Sequence, residues 1–287
     1  MTKPGLIATP CPVCRETASS PYAEENGFAL VRCGNCGLLY VTPRPDPAAT
    51  AAAHEYGVHQ GDTAFEVTGR YRPGRIAAYR KVLADAYGHS LPATITSWLD
   101  IGCGHGEFLM ALRQAFGPVP SLVGIELNVR KAAGCLDRGL DVRTCGVEEL
   151  NDRYSAISLL NVFSHLQDPK GFLASCVDRL LPGGELLVET GDTAHLPSED
   201  HPRPLYLPDH LLFGNEAIAR RVLTDIGLEV ISVHKYPAAS AVPWPVLKDM
   251  RAAFTARRMP RPFSALRQWM RERRRRIDMY IRAKRIN

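Results

Sequence analysis

The chain has 287 residues and a formal net charge of +5, with 45% hydrophobic and 23% charged residues. This composition is that of a globular protein with a full core, and it argues against a disordered or fibrous protein. No apolar run approaches the roughly 18 residues of a membrane helix, and the first residues lack the apolar core of a signal peptide. We therefore expect a cytoplasmic protein with no membrane partner.

The first predicted element is a metal site. Cys11 and Cys14 form one C-x2-C pair, and Cys33 and Cys36 form a second pair eighteen residues later. A two-residue gap lets both thiolates of a pair face one metal at about 2.3 Å, which is typical of a four-cysteine zinc site. Four thiolates leave no open position for a substrate, so the zinc would be structural and would stabilise a unit with little core. The alternative of two disulfides does not fit cytosolic redox conditions.

Prolines follow in the segment VTPRPDPAAT. They predict an extended linker, which closes a first unit of residues 1–45, a zinc-binding ribbon with its linker. Residues 46–94 are polar and dotted with aromatic residues, and apolar residues recur at helical spacing from Ile76 to Tyr87. We expect this stretch to be a helical lead-in that covers the active site of the domain behind it.

From Ile95 onward, strand-like and helix-like segments alternate. The strand-like segments are ITSWLDI, SLVGIEL, LDVRT, YSAISLLN, GELLVET and LEVISVHKY. Helical patterns stand between most of them. This alternation predicts an α/β fold, a Rossmann-like parallel sheet covered on both faces, over residues 95–287.

The stretch LDIGCGHGEF ends the first of these strands, where such sheets bind their ligands. Gly102, Gly104 and a third glycine at every second position let the backbone approach a ligand closely. Glu107 stands where the dinucleotide fingerprint has its last glycine. Asp100 would repel a pyrophosphate, so the loop suits a cationic nucleoside without phosphate. Glu126 ends the second strand, where a carboxylate accepts hydrogen bonds from ribose hydroxyls.

The motifs D-I-G-C-G-H-G and G-I-E-L-N together resemble the class I S-adenosylmethionine-dependent methyltransferases. The resemblance implies their seven-stranded sheet and S-adenosylmethionine as the cofactor. It also implies that Gly146 and Val147 border the adenine and that Asn161 lies beside the methionine part. The full set of implied cofactor contacts is Asp100, Gly102, Cys103, Gly104, Glu126, Leu127, Gly146, Val147 and Asn161.

The front of the chain narrows this resemblance. The pattern C-P-x-C … R-C-x-x-C-G-L-L-Y-x-x-P-R-P ahead of a methyltransferase domain is similar to a group that acts on sugars and secondary metabolites. The implied acceptor is therefore a small molecule, a sugar or a natural-product biosynthetic intermediate. Oxygen is the expected methylated atom and carbon the second candidate.

The C-terminal region is strongly basic, with 14 Lys/Arg against 3 Asp/Glu in residues 241–287. The methyltransferase sheet needs a seventh, antiparallel strand, and IDMYIRAKR is the candidate because Ile277, Tyr280 and Ile281 favour β-structure. Residues 241–276 would then form a helical insertion of two amphipathic helices before the last strand. These helices would pack near the active-site rim or against a second subunit, which makes a homodimer a candidate assembly.

Methyl transfer to a hydroxyl group requires a base. His210, in the proline-rich loop HPRPLYLPDHLLFG, is the first candidate, and His165, which follows Asn161 by one helical turn, is the second.

Two other functions stay open at this point. An RNA methyltransferase would use the zinc ribbon and the basic C-terminal region to hold nucleic acid. The segment between the cysteine pairs argues against it, because it has two arginines against three glutamates. A non-catalytic binding or scaffold protein is the third reading, and the intact Asp100, glycine loop and Glu126 favour a working cofactor site instead.

Overall fold

The structure is a computed structural model that describes residues 5–237 and 275–286. The strands are β1 Leu6–Ile7, β2 Ser19–Glu25, β3 Phe28–Cys33, β4 Leu39–Val41, β5 Arg44–Pro45, β6 Val58–His59, β7 Phe65–Glu66, β8 Ser97–Ile101, β9 Ser121–Ile125, β10 Val142–Arg143, β11 Tyr154–Leu159, β12 Leu180–Gly191, β13 Leu212–Phe213, β14 Leu228–Pro237 and β15 Arg276–Arg285. The α-helices are α1 Pro47–Tyr56, α2 Gly74–Tyr87, α3 Glu107–Phe116, α4 Val129–Asp137, α5 Pro169–Asp178 and α6 Glu216–Asp225.

The main sheet has seven strands in the order β10-β9-β8-β11-β12-β15-β14. Strands β8 to β12 of this sheet run parallel, and β15 is antiparallel to both of its neighbours. The first strand of the domain, β8, lies between β9 and β11, so the strand order reverses beside it. This is the place where a sheet of this kind opens a crevice for a ligand.

The predicted last strand is present. Met279, Ile281 and Ala283 of β15 are fully buried, and Ile281 is paired with Val188 of β12 and Val233 of β14. These apolar side chains alternate along the strand, as a strand with a buried face requires. The prediction of a seventh strand at IDMYIRAKR is thus confirmed. The predicted helical insertion covers residues 241–276. Residues 241–274 lie outside the described part of the chain, and Arg276 belongs to β15.

Helices cover both faces of this sheet. On one face, α2 and α3 contribute Leu83 and Phe108 to a cluster around Trp98. On the other face, α5 and α6 contribute Leu173 and Val222 to the larger core. Within the described residues, no helix is long and apolar enough to cross a membrane.

The N-terminal unit shares a sheet with the domain behind it. Strands β2, β3 and β4 pair antiparallel, and β4 also pairs with β13, a strand from a loop of the α/β domain. Tyr40 pairs with Leu212, and Leu39 pairs with Phe213. The ribbon and the larger domain therefore share one antiparallel sheet.

The proline-rich segment is folded, which corrects the expected linker. Arg44 and Pro45 form a strand with β1, and Val41 and Arg44 are buried. Asp46 then caps helix α1, which the sequence reasoning missed, by accepting a hydrogen bond from the Ala49 amide at 2.7 Å. Pro47 occupies the first helical position. The pair Asp46-Pro47 is a recognisable helix start, because a cap followed by proline satisfies the first turn.

Candidate active site and metal centre

A cavity of about 480 Å³ opens at the carboxyl ends of β8, β9, β10 and β11. This volume lies in the usual range for small-molecule sites. The cavity is lined by all nine residues implied as cofactor contacts: Asp100, Gly102, Cys103, Gly104, Glu126, Leu127, Gly146, Val147 and Asn161. The sequence motifs therefore converge on one site.

The glycine loop forms the floor of this cavity. Gly102 has φ +65° and Gly104 has φ +59°, values that favour glycine. A Cβ atom on Gly102 would lie 2.7 Å from Val162 Cγ2, whereas one on Gly104 would meet no protein atom within 4 Å. One glycine is thus required for packing, and the other leaves open space for a ligand.

Glu126 holds the glycine loop in place through hydrogen bonds. Its Oε2 accepts a hydrogen bond from the Gly104 amide and its Oε1 accepts one from the Asn128 amide, both at 2.8 Å. The side chain is buried, at 8% exposure. Each carboxylate oxygen can accept a second hydrogen bond, so the group can hold ribose hydroxyls while it fixes the loop.

Asp100 ends a buried hydrogen-bond chain. Trp98 Nε1 donates to Ser158 Oγ at 2.9 Å, and Ser158 Oγ donates to Asp100 Oδ1 at 2.6 Å. Burial raises the pKa of Asp100 to about 7, the bond from Ser158 opposes this shift, and the charge of Glu126 adds to it. A cationic ligand would compensate the buried charge. The sequence reasoning missed Ser158, although a serine inside the apolar strand YSAISLL was a usable signal.

The segment before the sheet forms one side of the cavity. Residues of the stretch 67–75 line it, and the Arg72 amide donates to Glu107 Oε1 at 2.7 Å. The His105 ring nitrogen Nε2 lies 3.0 Å from the Thr68 carbonyl oxygen. These contacts tie the segment to the glycine loop and to the start of α3.

The polar groups of the cavity fit S-adenosylmethionine. Two buried carboxylates, Asp100 and Glu126, suit a cation with a ribose, and the open space above Gly104 lets a ligand reach the backbone. Asn161 adopts a left-handed φ of 59° in the cavity wall. Such strain in a non-glycine residue is common where side chains meet ligands.

A second group of polar side chains lines the same cavity: His54, His165 and Asp209. His165 Nδ1 lies 2.9 Å from the carbonyl oxygen and 3.0 Å from Oδ1 of Asp209. His59 Nε2 lies 2.9 Å from the same Oδ1. One carboxylate thus joins histidines from two distant segments of the chain.

The electrostatics of this group follow from burial and charge. Burial alone would raise the pKa of Asp209, but the charge and hydrogen bond of His165 outweigh it and hold this pKa well below its usual range. Burial by itself would lower the pKa of His165. The charge of Asp209 and its hydrogen bonds with His165 outweigh burial and raise this pKa. Burial, with the charge of His165 added to it, outweighs the charge of Asp209 and lowers the pKa of His54 to about 4. His54 is therefore neutral at physiological pH.

His210 is not among the residues that line the cavity. Its ring packs 4.9 Å from the His165 ring and 5.8 Å from the Phe213 ring, measured between centroids. Burial lowers its pKa to about 4. The structure thus places His210 outside the residues that line the cavity, in ring contact with His165, so the choice of base stays a prediction. His165 does face the cavity.

The ribbon holds the loop that carries Asp209. The Glu25 carboxylate accepts from the Leu205 amide at 2.8 Å, and Asn26 Nδ2 donates to the Leu207 carbonyl oxygen at 3.2 Å. The same Asn26 amide group bonds the backbone of Thr63 through both of its polar atoms, at 2.8 and 3.0 Å. The tip of the β2–β3 hairpin thus clamps two segments that flank the histidine group, which sequence reasoning had not foreseen.

The four predicted metal ligands meet at the base of the ribbon. Cys11, Cys14, Cys33 and Cys36 each offer one sulfur, and the four sulfurs lie within 4.8 Å of one another. The closest pairs are Cys11 with Cys36 at 3.5 Å and Cys14 with Cys33 at 3.4 Å. All eight cysteines are free. Sulfurs bound tetrahedrally at about 2.3 Å from a zinc ion lie about 3.8 Å apart, so the cluster fits a structural zinc.

The seven-stranded sheet, the glycine loop and the acid at the end of β9 define the class I S-adenosylmethionine-dependent methyltransferase fold. A family profile described as a methyltransferase domain matches residues 69–273, well over half of the chain. The chain therefore belongs to this methyltransferase family, and the resemblance drawn from its motifs is confirmed.

Known methyl-transferring enzymes and related proteins are similar to this chain in sequence or in fold. The ubiquinone biosynthesis O-methyltransferase of Parvibaculum lavamentivorans is 26% identical over 136 residues, 44% of this chain and 54% of that enzyme. The chain thus spans about half the length of this curated relative. A geranyl diphosphate C-methyltransferase from Streptomyces coelicolor A3(2) shares 17% identity, with 73% of this chain and 76% of that one covered and a TM-score of 0.53. The cyclopropane synthase MmaA2 from Mycobacterium tuberculosis shares 18% identity, with 73% of this chain and 84% of that one covered and a TM-score of 0.51. At this identity the two structures show the fold alone.

Proposed function

We propose that the chain transfers a methyl group from S-adenosylmethionine to a hydroxyl oxygen of a small molecule, a sugar or a natural-product biosynthetic intermediate. The observation that carries this proposal is that one cavity holds the cofactor motifs and the His165–Asp209 pair. A cation site and a candidate base in one cavity are what methylation of a hydroxyl requires.

The chain's own residues divide this task. Glu126 would hold the ribose, and Asp100 would face the cationic part of the cofactor. When bound, S-adenosylmethionine supplies a methyl group on a good leaving group, for attack in line with the departing sulfur. His165 would take the acceptor proton through Nε2, because its Nδ1 is held by Asp209. Asp209 thereby positions the ring and stabilises its charged form.

The proposal also covers the cysteine cluster, and other predictions concern the domain boundaries, the location and the assembly of the chain. We infer that the four cysteines bind one structural zinc. The domain boundaries at residues 1–45, 46–94 and 95–287, the cytoplasmic location and the homodimer stay predictions. No observation among the described residues favours the RNA methyltransferase, and residues 238–274 of the basic region lie outside them.

The test is a mass-shift screen. The purified chain is incubated with methyl-labelled S-adenosylmethionine and a panel of sugars, phenols and polyols, and fragmentation then locates the added methyl group. A label on oxygen supports the proposal, and a label on carbon contradicts the O-methylation part of it. No transfer to any acceptor, despite measurable cofactor binding, would favour the binding-protein reading.

With an acceptor in hand, two variants separate the histidines. His165→Ala should lower kcat by a factor of about 10² to 10⁴, the usual contribution of a general base, with little change in cofactor affinity. His210→Ala should stay within a few-fold of the wild type, because His210 is not among the residues that line the cavity. If the two variants exchange these effects, the assignment of His165 is wrong.

A further inference from the structure

The histidine group that lines the cavity has the composition of a metal site. His54 comes from α1, His165 from the turn after β11, and Asp209 from the loop before β13. Each offers one ligand atom, and the three atoms lie within 4.8 Å of one another. Two imidazoles and one carboxylate on one side of an open space form a ligand set that suits a divalent transition metal.

A second observation points to a missing ligand. Among the described residues, His54 Nε2 is buried and has no hydrogen-bond partner. A buried polar atom without a partner is unfavourable, and such groups call for a specific explanation. His59 Nε2 lies 2.9 Å from Asp209 Oδ1, close enough for an ion pair but outside hydrogen-bond geometry.

We propose that His54, His165 and Asp209 bind a divalent transition-metal ion, of the Mn²⁺, Fe²⁺, Co²⁺ and Zn²⁺ type, at the acceptor end of the methyltransferase cavity. Mg²⁺ fits less well, because it prefers a shell of oxygen ligands. This site is distinct from the four-cysteine cluster, which is closed by its own thiolates and does not line the cavity.

The three ligands occupy only part of a metal's coordination shell, and all three line the cavity. The remaining positions therefore face the acceptor. This suits an acceptor with two neighbouring oxygens, such as a vicinal diol, a catechol or an α-hydroxy ketone, which would chelate the ion. The ion would lower the pKa of the bound hydroxyl.

This role in catalysis rests on the proposed function, whereas metal binding does not. The reaction balances as follows: the hydroxyl proton passes to solvent, an oxygen–carbon bond forms, and the sulfur–carbon bond breaks to release neutral S-adenosylhomocysteine. In the metal-loaded enzyme His165 is a ligand, and the ion replaces it as the group that favours the deprotonated acceptor.

Metal binding is tested with Co²⁺ on full-length protein whose zinc content has been counted. Equilibrium dialysis should show Co²⁺ bound in addition to the ribbon zinc, without the thiolate-to-cobalt charge-transfer bands that Co²⁺ in the ribbon would give. His54→Ala should weaken this binding at least about tenfold. His89→Ala, at an exposed histidine outside the cavity, is the matched control and should bind as the wild type does.

Folding of the variant is checked by its affinity for S-adenosylmethionine. If His54→Ala fails this check, Co²⁺ broadening of the histidine ring signals in the wild-type NMR spectrum decides: the His54 and His165 signals should broaden and that of His89 should not. No Co²⁺ beyond the ribbon metal, or unchanged binding by a folded His54→Ala, overturns the site.

Activity separates this inference from the proposed function. Addition of the ion to protein emptied at this site should raise the methylation rate at least about tenfold, and an unchanged rate would contradict the catalytic role. Co²⁺ binding at the site without methyl transfer to any acceptor would instead contradict the proposed function and leave the metal site in place.

Discussion

The buried Asp100 carboxyl makes the cofactor-free protein sensitive to pH. Its pKa rises from an ordinary 3.8 to about 7, chiefly because it is buried, and the variant Asp100→Asn removes this titration. Asparagine is nearly isosteric, and its Oδ1 can still accept the hydrogen bond from Ser158. The variant therefore changes the charge with little change in packing.

The sign follows from proton linkage. Between about pH 4 and pH 7 the folded protein keeps a proton that the unfolded chain has released. The stability contributed by this group is full below about pH 4 and is lost as pH rises through about 7. A shift of about 3 pKa units corresponds to about 4 kcal/mol of unfolding free energy, an upper figure for one buried group. Glu189, whose pKa also rises to about 7, titrates in both proteins, so the difference between them reports Asp100 together with its charge interaction with Glu189.

The assay is denaturant unfolding of wild type and Asp100→Asn across this pH range. The two proteins should be about equally stable near pH 4. At pH 8 the variant should be more stable by about 2–4 kcal/mol, equivalent to a melting temperature higher by about 2 °C per kcal/mol. Parallel stability curves over the whole range would refute the reasoning, because they would mean that Asp100 is ionised throughout.

The cofactor provides a second arm of this experiment. A cationic ligand favours the ionised Asp100, so the thermal stabilisation by S-adenosylmethionine should be larger at pH 8 than at pH 5.5 in the wild type. In Asp100→Asn it should be weaker and nearly independent of pH.

Three further predictions concern the cofactor, the metal cluster and the ribbon. Glu126→Ala should weaken S-adenosylmethionine binding at least about tenfold in calorimetry, because both the ribose acceptor and the brace on the Gly104 amide are lost; Glu229→Ala, on the edge strand β14, is the control, and equal affinities would contradict the assignment. Elemental analysis should find at least one zinc per chain without added metal, and Cys33→Ser should lose one zinc and aggregate; a metal-free, well-folded wild type would refute the zinc site. Asn26→Gly keeps the left-handed backbone (φ 54°) but removes the clamp on Thr63 and Leu207, so acceptor turnover should fall about tenfold while cofactor affinity stays within twofold; unchanged kcat/KM would show that the clamp is dispensable.

Sequence reasoning recovered the features that are written locally in the chain. The cysteine pairs, the glycine loop and the acid at Glu126 are each specified by spacing over a few residues, and the strand and helix patterns by their periodicity. Even the seventh strand could be predicted, because the sheet required it and IDMYIRAKR was rich in β-favouring residues. The helix start at Asp46-Pro47 was equally local and was overlooked in favour of the proline count.

The histidine group of the cavity was brought together by tertiary structure alone. His54, His165 and Asp209 are separated by 111 and 44 positions, and no spacing rule connects them. Only the tertiary structure shows that His165 lines the cavity and that His210 does not. Local patterns specify which elements form, whereas the close approach of distant side chains depends on how those elements pack.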